Sequence, residues 1–229
     1  MKKQQAGFTL VEIAIVLVII GLMLGGVLKG QELINSAKAK NLANDFRTTS
    51  TLVYGYQDRF KSFPGDQTQT QLDTAFGTNA GSACSPAADG LCRNNNGRID
   101  GEWNAQDGKS ETFTFWQHVR LANLATGSTN TADANYLPVN ADGGHIGIES
   151  GINSSGAANP PIKEMRGSYY VCSNNILGRY AKQIDSMIDD GNTATGSVRA
   201  VPVGSARTVD ATATASILDG VQYLVCAAY

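Results

Sequence analysis

Met1-Lys2-Lys3-Gln4-Gln5-Ala6-Gly7-Phe8-Thr9-Leu10-Val11-Glu12 opens the chain and leads into an apolar run that ends at Leu28. The run from Phe8 to Leu28 holds 21 residues. At about 1.5 Å per residue a helix of that length reaches roughly 31 Å, the thickness of a bilayer core. Lys2 and Lys3, with the initiator amine, hold the front end in the cytoplasm and send the remainder outward. A secretory signal has a shorter apolar region that closes on a small-x-small cleavage site. Here the run passes into Lys29-Gly30-Gln31-Glu32 without such a site, so the apolar segment is expected to stay attached after export.

Glu12 interrupts this segment near its start. An ionised side chain in the hydrocarbon layer is disfavoured by about 3 kcal/mol on insertion scales, and by more when nothing pairs with it. No Lys, Arg or His lies between Phe8 and Leu28, so the span cannot neutralise Glu12 from within. The counter-ion has to come from another molecule. A free amine on a neighbouring copy serves, provided the first seven residues are removed to expose the nitrogen of Phe8. A plain membrane anchor needs neither the Glu at that position nor the Gly-Phe junction.

The stretch Gly7-Phe8-Thr9-Leu10-Val11-Glu12, behind a short basic leader and ahead of a long apolar helix, resembles the N-terminus of type IV pilins and type II secretion pseudopilins. The resemblance is close over residues 1 to 35 and only architectural beyond them. It implies that a prepilin peptidase cuts between Gly7 and Phe8 and that the new amine of Phe8 is methylated. It also implies that Glu12 pairs with the amine of an adjacent subunit during assembly. The partners it implies are copies of the chain or other pilins, the peptidase, the inner-membrane assembly machinery and the membrane itself. The expected places are the bacterial inner membrane for the precursor and a periplasmic or cell-surface filament after assembly. Residues 1–7 then form the leader, 8–35 the membrane and filament-core helix, and 36–229 an extracytoplasmic head that includes the amphipathic half of the helix.

The head is about 190 residues, enough for one core of ordinary size. The whole chain has 25 Gly and only 17% charged residues, with frequent Asn, Ser, Thr and Ala, a composition of loop-rich extracytoplasmic domains. Its net charge is −2 and no block of Lys or Arg stands outside the helical stalk, so charge indicates no nucleic-acid surface. Leu42, Phe46, Thr49, Val53, Tyr56 and Phe60 recur at spacings of four and three, one stripe of a continuous helix. Pro64 disfavours helix at Phe63, which ends this helix by about residue 62, with Pro64-Gly65-Asp66 as the turn out of it. The stripe needs a sheet to cover it. The expected fold class is therefore α+β, a long N-terminal helix packed on an antiparallel sheet, pilin-like in form.

Residues 65–109 lack periodicity and read as one long loop. Glu111 to Leu124 reads as a short amphipathic helix with Ser110 as N-cap, Phe115, Trp116 and Val119 facing inward, and His118 at the surface. Residues 136–139, 145–148 and 168–172 have strand character, as do 198–203 and 223–229. After the turn signal Asn174-Asn175, the residues Ile176, Tyr180 and Ile184 mark a second short helix, ended by Asp189-Asp190-Gly191. Residues 151–161 read as an exposed loop.

Four cysteines, Cys84, Cys92, Cys172 and Cys226, in an exported chain point to two disulfides, for which three connectivities exist. The favoured pairs are Cys84 with Cys92, close together in the long loop, and Cys172 with Cys226, in two strand-like segments. The family resemblance supports the second, because many pilins close their C-terminal region in this way. Zinc is the rival use, but no Cys-x-x-Cys pair is present. One segment offers oxygens at alternating positions around a glycine: Asn94, Asn96, Asp100 and Glu102 about Gly97, a variant calcium loop. Aligned on an EF-hand its first and last ligand positions fall on Cys92 and Trp103, and an Asx-turn-rich loop explains the same residues.

No catalytic constellation is visible: two histidines, His118 and His145, no H-E-x-x-H pair and no G-x-S-x-G elbow. Asp185, Asp189 and Asp190 lie near a helix end, where acids commonly solvate or cap a turn. No enzyme and no resident cofactor are expected. The chain reads as a structural filament subunit. A minor or tip pilin, or a secretion pseudopilin with a ligand-binding head, is the alternative, and an anchored periplasmic enzyme is a third.

Overall fold

A computed structural model describes residues 9–85, 92–106, 108–153 and 155–229. The expected cleavage junction Gly7–Phe8 and residues 86–91 of the long loop lie outside the described residues. The chain divides into two compact units, Met1–Lys38 and Ala39–Tyr229. Helix α1 (Leu10–Phe60) supplies the described part of the first unit and enters the second. In the first unit the helix runs unbroken through Gly21, Gly25 and Gly26, and its large apolar side chains are exposed.

The second unit contains α2 (Gln69–Phe76), α3 (Glu111–Leu121), β1 (Ile146–Glu149), β2 (Tyr170–Leu177), α4 (Gly178–Ile188), β3 (Val198–Pro202) and β4 (Gln222–Ala228). The four strands form one sheet in the order β1-β2-β4-β3, antiparallel at every pairing. From α1, Leu42, Phe46, Val53 and Tyr56 are buried with Phe115 and Val119 of α3, Ile184 of α4 and Ile148, Val171 and Val225 of the sheet. The stripe read from the sequence is thus the helical side of the core, and the fold is the expected α+β layer.

Successive residues of a strand point to opposite faces. Val171 meets the helices, whereas Tyr170 and Cys172 face the other way, into a second cluster with Ile162, Met165, Val201 and Cys226. Both faces of β2 and β4 are therefore covered, one by helices and one by the segment before β2. Cys172 and Cys226 sit opposite each other in the β2–β4 register and are joined by a disulfide, and Cys84 is joined to Cys92. The Cys172–Cys226 bridge ties the last strand to the middle of the sheet across a sequence separation of 54. Its removal as Cys172→Ala/Cys226→Ala is expected to cost about 2–4 kcal/mol. The measurement is guanidinium unfolding of the detergent-solubilised chain, and an unchanged midpoint would show that the bridge constrains nothing.

Several local expectations are corrected. Residues 65–109 are not one loop, because they include α2, whose N-cap Thr68 forms a capping box with Gln71. Residues 136–139 form no strand; only Val139 bridges to His145, and Pro138 has no N–H to offer a ladder. Asn174-Asn175 is not the turn before a helix but an irregularity inside β2, with Asn175 at φ 58°, and Ile176 belongs to the strand. Ser110 occupies the N-cap position of α3 but its hydroxyl bonds Thr112 Oγ1 at 3.0 Å, not the helix backbone. Residues 151–161 are exposed only in their middle, since Gly151 and Pro161 at the ends are buried. His118 is fully buried, not at the surface, because α3 is enclosed on nearly every side.

Candidate assembly site on the N-terminal helix

Helix α1 starts with a device the sequence spells as Thr9-Leu10-Val11-Glu12. Thr9 N–H and Thr9 Oγ1 each donate to Glu12 Oε2 at 2.8 Å, and Glu12 N–H donates back to Thr9 Oγ1 at 3.3 Å. This reciprocal pattern is a capping box, in which side chains satisfy donors that the helix itself leaves unpaired. The carboxylate is held at the helix start and carries no ion pair among the described residues. The nearest basic side chain along the helix is Lys29, which is bonded to Glu32 at 2.6 Å with both side chains about two-thirds exposed. Such a surface pair contributes less than about 1 kcal/mol.

Beyond Glu12 the helix shows nothing but hydrocarbon for several turns. Leu17, Leu22, Met23, Leu24 and Leu28 are each more than half exposed. It is long and apolar enough to cross a membrane, and the apolar window is wholly unburied within the chain, unlike the core helix of a soluble domain. A surface of this kind is unstable in water and needs lipid or other protein against it.

Residues 2–28 match the sequence model of the prokaryotic N-terminal methylation motif. That motif is the signature of type IV pilins and pseudopilins, and over these residues the chain is similar to them. Motif and apolar helix together fit insertion in a membrane. The motif implies, in general terms, assembly with other pilins and processing by the prepilin peptidase. No curated protein and no solved structure matches the chain.

In the second unit the four residues of the variant calcium loop have partners within the chain. Asp100 is buried and paired with Arg93 Nε at 3.0 Å, and it also accepts the Asn96 side-chain amide at 2.8 Å. Asn94 turns to the Cys84 carbonyl at 3.4 Å, while Glu102 faces Arg207 at 3.8 Å. Arginines supply the positive charge to both acids. Around them is a network that sequence reading missed. Asp66 accepts the N–H groups of Asn96 at 2.9 Å and Gly97 at 2.8 Å, and buried Glu111 accepts those of Asp100 at 2.7 Å and Arg93 at 3.1 Å. Burial, then the neighbouring carboxylates Asp100 and Asp66, push Glu111 up to about 8 against these bonds. The Pro64-Gly65-Asp66 turn is therefore the anchor of residues 94–97 as well as the exit from α1.

His118 locks the same turn. Its Nδ1 accepts the Gly65 N–H at 2.9 Å and its Nε2 lies 2.9 Å from the Ser82 carbonyl, which fixes a neutral ring with the proton on Nε2. Gly65 has φ 97°, and a Cβ there would run into the Glu111 carbonyl, so the close approach needs glycine. Protonating Nδ1 would set two donors head to head. Burial accordingly lowers the His118 pKa to about 4 from 6.5. Because the unfolded chain takes the proton first, His118 lowers stability as pH falls from 6.5 towards 4, by about 3 kcal/mol when complete. Gln offers the same acceptor and donor without titrating. Thermal unfolding at pH 7 and pH 4 should show wild type losing that amount relative to His118→Gln, and parallel pH profiles would refute the assignment.

Proposed function

We propose that the chain is a non-enzymatic structural subunit of a type IV pilus or related filament. The observation that carries the proposal is the methylation motif lying on an exposed apolar segment whose one acid, Glu12, has no ion pair among the described residues. Cleavage between Gly7 and Phe8 frees an amine, and methylation keeps it a cation. In the membrane, residues 8–35 store the subunit; in the filament, the same surface is buried against neighbouring copies. The pairing of Glu12 with the Phe8 amine of an adjacent copy then sets the axial register, since any other register leaves a carboxylate unpaired in hydrocarbon. Residues 36–229 form the outward head, with both disulfides inside it.

Intact-mass measurement of protein from sheared cell-surface fibres tests the processing and the assembly together. The expected species lacks residues 1–7, carries one added methyl group and contains two disulfides. A chain that retains Met1 to Gly7 and is found only in the membrane fraction would overturn the proposal.

A further inference from the structure

Helix α4 ends among three acids. Asp185, Asp189 and Asp190 each offer a carboxylate oxygen, and the three oxygens lie within 4.8 Å of one another. Asp185 is entirely buried, and neither Oδ1 nor Oδ2 has a hydrogen-bond partner. The Gly191 N–H approaches closely enough to favour the ionised form but lies outside hydrogen-bonding geometry. The location is adverse for a negative charge. Asp185 stands in the last turn of α4, at the negative end of the helix dipole, with two further carboxylates beside it. Among the described residues no ion pair reaches any of the three. Arg47 of α1 donates to the Met187 carbonyl at 2.6 Å, and Lys182 of α4 pairs with Asp219 at 2.5 Å.

The flanking acids are held in place. Asp189 Oδ2 accepts the Val198 N–H at 2.9 Å, at the start of β3. Asp190 accepts the Asn192 N–H at 2.8 Å and the Thr195 hydroxyl at 2.9 Å. Gly196 has φ 70°, and a Cβ there would collide with the Asp189 carboxylate, so the loop closes tightly over it. Each oxygen keeps a further lone pair. These bonds orient carboxylates in the manner that outer-shell partners orient metal ligands. Asp190 caps its turn as the sequence suggested, whereas the buried, unpartnered Asp185 does not fit that reading.

We propose that Asp185, Asp189 and Asp190 bind a divalent cation of the calcium class, clamping the end of α4 to the start of β3. Hard oxygen ligands suit such a cation. At a calcium–oxygen distance of about 2.4 Å two ligand oxygens stand at most about 4.8 Å apart, and the three oxygens lie within that span. The site differs from the Asn94–Glu102 segment in the one property that matters: arginines neutralise the acids there, and none does so here. Burial and the two neighbours also push Asp185 up to about 7, the direction expected where a cation is needed to keep it ionised.

The test uses the full chain in detergent micelles, stripped with EDTA and titrated with calcium chloride by calorimetry and thermal unfolding. One calcium per chain is expected, with a midpoint raised by about 5 °C or more at saturation. Asp185→Asn should abolish both. Asp190 is exposed, so Asp190→Asn leaves the fold intact and should weaken calcium binding at least tenfold, which keeps the test open if the first variant does not fold. A wild-type midpoint indifferent to calcium, with Asp185→Asn more stable at every calcium concentration, would show a buried protonated acid and overturn the proposal. Unchanged affinity in Asp190→Asn would overturn it equally.

Discussion

Glu12→Gln is expected to reduce surface filaments at least about a hundredfold while leaving the subunit folded and membrane-bound. The choice of Gln separates two roles of one side chain. Glu12 closes a capping box with Thr9, and Gln serves that box as well as Glu does. The cap, worth about 1 kcal/mol, is therefore retained. What is lost is the negative charge. If the carboxylate pairs with a neighbouring amine in a dry filament core, breaking the pair strands a cation there at about 3–5 kcal/mol, which is a factor of a hundred or more in an equilibrium. Glu12→Ala removes cap and charge together and should assemble no better. The readout is the ratio of sheared fibre to membrane-retained subunit at equal expression. Normal fibre yield from Glu12→Gln would mean that the acid is only a helix cap and that register is set elsewhere.

Arg207→Ala is expected to destabilise the head by about 3–5 kcal/mol at neutral pH, a large share of the roughly 5–15 kcal/mol that holds a domain together. Glu149, on the edge strand β1, is 1% exposed. Arg207 grips it with two parallel bonds, Nη1 to Oε1 at 2.6 Å and Nη2 to Oε2 at 2.8 Å, and the Trp103 N–H adds a third at 2.8 Å. Burial raises the Glu149 pKa, and Arg207 opposes that shift. Without the guanidinium the carboxylate must either stay charged in the interior or take up a proton. The loss should therefore shrink as pH falls, because the acid then neutralises itself. Glu149→Met combined with Arg207→Leu should recover most of the stability, since an apolar pair carries no desolvation cost. Denaturant unfolding of wild type and the two variants decides the matter. A loss below about 1 kcal/mol in Arg207→Ala would show that Glu149 is already neutral in the native chain.

The helical stripe from Leu42 to Tyr56 and the halt near residue 62 were legible because periodicity and a proline act over a few residues. Thr68-x-x-Gln71 was equally local and was there to be found as a capping box; α2 was missed because it lacks an apolar stripe, burying Leu72 alone. His118 was misplaced for a different reason. Its neighbours along α3 make it one polar residue on an amphipathic helix, and its hydrogen-bond partners Gly65 and Ser82 stand 53 and 36 residues away. The calcium segment shows the same limit: Asn94, Asn96, Asp100 and Glu102 have the alternation of a ligand loop, yet Arg93 and Arg207 take up the acids.

The order of residues along Met1 to Leu28 alone determined the motif, the apolar helix and the unpaired charge at Glu12, because a membrane segment is defined by local composition against a uniform solvent. Tertiary structure alone decided which acids of the head meet a cation. Glu149 finds Arg207 58 residues away, whereas Asp185 is buried beside the two acids that follow its helix, and no local pattern distinguishes those fates. The physical reason is that desolvation and charge pairing are properties of the assembled interior, fixed only once distant segments pack.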